Sequence, residues 1–102
     1  MKDMVDLIGK PAMYELLAEE CCELAQAALK MARILRNENP TPKTKKEVRA
    51  NIIEEVTDVE LCLMELKIKY DYKIMSDKIE RFHTRWAESG RKGGLFKAKE
   101  VD

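Results

Sequence analysis

Glu20-Cys21-Cys22-Glu23, answered about thirty residues later by Glu55-Val56-Thr57-Asp58, are the paired stretches whose reading decides the fold. Each sets two carboxylates three residues apart inside a run with helical periodicity. Residues i and i+3 stand on one face of a helix. Following that spacing, Glu20 and Glu23 fall on the row Met13, Leu16, Glu20, Glu23, Ala27, and Glu55 and Asp58 fall on the row Val48, Asn51, Glu55, Asp58, Cys62. Acids bounded above and below by mostly apolar neighbours border a core.

Working outward, the first pair lies in a helical pattern from Pro11 to about Arg36, with Leu17, Cys21, Leu24, Ala28, Met31 and Leu35 repeating at spacings of four and three as a bundle seam. Residues 2–8 read as a short helix stopped by Gly9, and Pro11 suits the first turn of the next. Asn37 to Lys43 is a loop, because Pro40 and Pro42 forbid helix continuation. Thr44-Lys45-Lys46-Glu47 matches a capping box and starts a second long helix. Its expected seam is Ile52, Val56, Val59, Leu63, Leu66 and Tyr70. Around Leu61-Cys62-Leu63-Met64 it is apolar on more than one face, which demands partners on two sides and predicts a homo-oligomer. Asp71 is placed to cap a further helix from about Tyr72 to Glu88, with Met75, Ile79, Phe82 and Trp86 inward and Lys78, Arg81 and Arg85 on a neighbouring row. Residues 89–102 are expected to form a mobile tail, or to reach a neighbouring subunit through Leu95 and Phe96.

The expectation is an all-α chain: an antiparallel helical hairpin plus a third helix, one domain over 1–102, assembling as a homodimer or homotetramer into an oligomeric four-helix-type bundle. Composition agrees. The 102 residues are 45% hydrophobic and 37% charged, and only four glycines and three prolines disfavour a many-stranded sheet. Nineteen cations balance nineteen anions, so net charge predicts neither nucleic-acid nor membrane binding. No apolar run approaches the roughly 18–20 residues of a membrane span. Met1-Lys2-Asp3-Met4-Val5-Asp6 lacks the pattern of an export leader. Three cysteines without disulfide or zinc spacing predict a reduced, cytoplasmic protein.

The hairpin brings the acids level. Glu23 lies 13 residues before Arg36, and Asp58 lies 13 after Lys45. At ~1.5 Å per residue both sit about 20 Å from the turn. Four carboxylates facing one another repel unless a hard cation neutralises them. All-oxygen ligation without His or Cys points to magnesium, with manganese possible, rather than zinc.

Glu19-Glu20-Cys21-Cys22-Glu23-Leu24 followed by Glu54-Glu55-Val56-Thr57-Asp58-Val59 resembles the Glu-Glu-x-x-Glu … Glu-x-x-Asp signature of MazG-type nucleotide pyrophosphohydrolases, in the all-α nucleoside triphosphate pyrophosphatase superfamily. The resemblance spans roughly residues 12–86, including a Lys-plus-Arg pattern at Lys78, Arg81 and Arg85. It implies that Glu20, Glu23, Glu55 and Asp58 hold magnesium. It also implies that a nucleoside triphosphate is cleaved between its α and β phosphates, giving monophosphate and pyrophosphate. Either Glu20 or Glu19 would take the proton of the attacking water, Lys78, Arg81 and Arg85 would meet phosphate charge, and Asn51 would bond substrate or a ligand carboxylate. The chain departs from the family pattern at Cys21-Cys22, where small or glycine-containing pairs are common, and shows no base-reading residues. Three other readings stand beside this one: a related enzyme acting on phosphoribosyl-ATP, a non-catalytic helical interaction module, and a di-iron bundle. The last rests on Glu80-Arg81-Phe82-His83 but lacks the second Glu-x-x-His that such sites need, His83 being the sole histidine.

Overall fold

A computed structural model of the chain describes residues 1–38 and 42–88. The expectation for residues 89–102 lies outside the described residues. Four helices account for most of the rest: α1 (Met4–Ile8), α2 (Lys10–Leu35), α3 (Lys45–Glu65) and α4 (Tyr72–Glu88), with no strand among the described residues. The contacts divide the chain into two compact units, Met1–Ile68 and Lys69–Asp102.

The first unit is the hairpin. Gly9 separates α1 from α2 with φ of +87°, a conformation L side chains rarely adopt, so the backbone there selects glycine. Pro11 occupies the first turn of α2, where its missing N–H leaves nothing unsatisfied. Both long helices end the same way. Asn37 and Lys67 take left-handed φ of 59° and 58°, and the next amides close back onto carbonyls five residues earlier, Glu38 N to Arg33 O at 3.0 Å and Ile68 N to Leu63 O at 2.9 Å. The start of α3 carries the expected reciprocal cap: Glu47 N donates to Thr44 Oγ1 at 3.1 Å, and Thr44 N donates to Glu47 Oε1 at 2.9 Å.

Helices α2 and α3 pack closely along their lengths, and α1 lies against α2. Their opposed direction follows from two ties. The short loop joins the end of α2 to the start of α3, and at the far end Val5 N donates to Glu65 Oε1 at 2.8 Å. The buried side chains are Met13, Ala27 and Met31 from α2 with Val48 and Cys62 from α3. This corrects the expected seams. Cys21 and Ala28 are exposed, as are Val56 and Tyr70, whereas the rows containing the acids face inward. Apolar side chains outnumber acids on the expected seams, but the helices meet along the acidic rows and leave the more apolar faces outward.

The second unit, as far as it is described, is α4. Asp71 caps it as expected, accepting from Ile74 N at 2.9 Å. Every residue from Tyr72 to Arg85 is exposed, and only Trp86 is half-buried. Phe82 and Trp86 pack ring on ring, with centroids 5.9 Å apart.

Candidate metal centre

The carboxylates stand midway along the hairpin, each placed by helix rather than loop. Glu20 approaches Asp58 within hydrogen-bonding reach, and Glu23 approaches Glu55 in the same way. Three residues forward on α2 thus correspond to three residues backward on α3, the register of antiparallel rods. One oxygen each from Glu20, Glu23 and Glu55 lie within 4.8 Å of one another. Glu20, Glu55 and Asp58 are half-buried and Glu23 is exposed, so the cluster opens to solvent on one side. Buried side chains bracket it along both rows: Met13 and Cys62 towards one end, Ala27, Met31 and Val48 towards the other.

The electrostatics follow from that placement. Desolvation raises the pKa of Glu20 above its ordinary 4.5, and the charges of Glu23 and Asp58 raise it further. Desolvation also raises Glu55, followed by its contact with Glu23 and the charges of Asp58 and Glu20. No cation is among the groups acting on either. Burial pushes the Cys62 thiol up as well, with Glu20 and Asp58 adding to the shift. Two oxygens, Glu20 Oε2 and Glu55 Oε2, are buried without a hydrogen-bond partner. Buried carboxylate oxygens ordinarily find a donor. A hard divalent cation, bound by oxygen ligands in sets of six or more that include water, satisfies such atoms and offsets the repulsion together. The residues present therefore fit magnesium or manganese, with Glu20, Glu23 and Glu55 as ligands and Asp58 beside them.

The remaining expected site residues are distributed as follows. Asn51 is half-buried on α3, one turn before Glu55, and Glu19 is exposed on α2. Lys78, Arg81 and Arg85 belong to the second unit, where all three are exposed and line a shallow concavity of about 240 Å³ with Phe82. Exposed His83 stacks edge-on against Phe82, with centroids 6.1 Å apart. Sequence reasoning missed two residues. Cys62 sits in the acidic row, yet the prominence of the acids hid its position beside Glu20 and Asp58. Glu65 ties down α1, a contact 60 residues distant in sequence that no local pattern announces. Comparison with family models, with curated proteins and with solved structures found no match to this chain.

Proposed function

We propose that the protein is a magnesium-dependent nucleoside triphosphate pyrophosphohydrolase, cleaving between the α and β phosphates to give a nucleoside monophosphate and pyrophosphate. The observation that supports this best is the carboxylate cluster across the hairpin, with two buried oxygens that lack any partner. Glu20, Glu23, Glu55 and Asp58 hold the ion. When bound, the ion neutralises phosphate charge and acidifies a water for attack at phosphorus.

The chain's own groups supply the rest. Of the two expected proton acceptors, Glu20 is favoured over Glu19. It is half-buried among like charges, and its raised proton affinity brings it nearer the working pH than an ordinary glutamate. Glu55 has the same raised affinity and helps hold the negative potential of the site. Lys78, Arg81 and Arg85 suit phosphate oxygens, the arginines by forked hydrogen bonds and the lysine as a point charge. Asn51 offers an amide one turn from Glu55. The protein works as a homodimer or homotetramer, in keeping with the many large apolar side chains left exposed on α2, α3 and α4.

The test is product analysis. Purified protein with magnesium or manganese is given each common triphosphate and phosphoribosyl-ATP. Monophosphate plus pyrophosphate from a nucleoside triphosphate is expected. Diphosphate plus phosphate, turnover of phosphoribosyl-ATP alone, or no turnover of any substrate overturns the proposal.

A further inference from the structure

The apolar side chains of α4 follow a strict three-four spacing: Tyr72, Met75, Ile79, Phe82 and Trp86. That is the repeat of a two-helix seam, narrower than the stripe of a helix lying on a globular core. Tyr72, Met75, Ile79 and Phe82 keep 75%, 42%, 53% and 53% of their surface exposed. A seam this regular and this open lacks the second helix its pattern calls for.

Independently of the hydrolase reading, the geometry points to this seam as the contact between two copies of the chain, α4 packed against α4 in opposite directions. The flanking charges choose the direction. Asp71, Lys78 and Arg85 recur every seven residues along one edge of the seam, and Ser76 and His83 lie along the other. A parallel pair sets the charged edge of one copy beside the uncharged edge of the other. An antiparallel pair sets the charged edge beside itself, which brings Asp71 of each copy opposite Arg85 of the other. In that register Met75 meets Ile79, Tyr72 meets Phe82, and the two Lys78 side chains meet at the two-fold axis, where long flexible stems let their charges turn into water.

The area agrees with a second copy. The chain exposes 8647 Å². Granting the seventeen undescribed residues the full area of an unfolded chain removes about 2,900 Å². The remaining ~5,800 Å² still exceeds the roughly 5,200 Å² of a compact protein of the described mass. The surplus of at least about 600 Å² approaches the ~800 Å² that each partner buries in a standard interface.

Light scattering on the full chain at ten to a hundred micromolar tests the inference. The expected mass is an even multiple of the 11.8 kDa chain, and Phe82→Glu halves it while circular dichroism retains the helix signal. As a second variant, Lys78→Cys in a Cys21→Ala, Cys22→Ala background places one thiol of each copy at the axis, and a short bismaleimide yields covalent dimer. A single-chain mass for the unaltered protein overturns the inference. So does a mass unchanged by Phe82→Glu, or an assembly that gives no cross-link at Lys78→Cys.

Discussion

Replacing Glu55 by Gln changes the charge of the cluster and almost nothing of its shape. Every neighbour acting on Glu55 raises its pKa, so its ionised form is disfavoured where it stands. Without metal, the neutral amide removes that repulsion, and the variant melts at a higher temperature than the unaltered protein. With metal the sign reverses. At a free ion concentration one hundred times Kd, binding stabilises the unaltered protein by about 2.7 kcal/mol. For a domain of this size, 4–8 °C per kcal/mol makes that a rise of roughly 11–22 °C. Loss even of groups behind the ligands weakens metal sites 10–100-fold, so loss of a ligand weakens this one at least as much. At the same ion concentration the variant then gains at most about 1.4 kcal/mol, and about 0.4 kcal/mol at the hundredfold end. Thermal melts of both proteins in chelator and across a magnesium or manganese series read the two signs directly. A variant no more stable than the unaltered protein in chelator, or one with an equal metal-induced rise, refutes the reasoning.

The pH dependence separates the cluster from the caps. Glu20 and Glu55 have raised folded-state pKa values, so the stability they contribute is present below about 4.5 and is lost as pH rises through their folded values. In chelator, the melting-temperature advantage of Glu55→Gln is therefore close to nil near pH 4 and grows towards pH 7; an advantage that shrinks over that range contradicts the assignment. Glu47 runs the other way. Its bonds to Thr44 lower its pKa, so its contribution is present above 4.5 and fades as pH falls through the folded value. Thr44→Ala removes both halves of the cap and costs about 1 kcal/mol, or 4–8 °C, measurable by the same melts at pH 7. Lys67→Gly relieves a left-handed residue at the end of α3 and stabilises by up to about 1 kcal/mol, whereas Lys67→Val at that φ destabilises; denaturant midpoints decide both.

Much of the hairpin was legible because its signals are local. Thr44 and Glu47, Gly9 and Pro11, and Asp71 before Ile74 each act within a turn or two, and the structure closes each as the sequence predicts. The level placement of the two acidic pairs was legible too, since rise per residue and loop position fix height. Which face turns inward was not. Hydrophobicity alone favours the row through Cys21 and Ala28, and both are exposed. Small residues at Ala27 and the flexible side chains of Met13 and Met31 let the helices approach along the other row, carrying the acids with them. Periodicity ranks faces by their own composition, whereas packing depends on how two faces fit together.

The interior of the hairpin thus alternates along its length: buried apolar side chains, then four acids, then buried apolar side chains again. Apolar side chains at Glu20 and Glu55 would remove the repulsion and cover the oxygens now left without partners, so the sequence is not the most stable one for this backbone. Departures from local consistency of this kind concentrate where a protein does chemistry. Stability alone would also be served by acids placed at the frayed ends or on loops, where water screens them. Here they project from the middle turns of two capped helices, the stiffest positions the fold offers and the ones best able to hold ligands at fixed separations. A cation bound among them turns the repulsion between α2 and α3 into a cross-link between the two helices. One set of groups then destabilises the empty hairpin and fastens the loaded one, which ties the folding of the first unit to the ligand of its site.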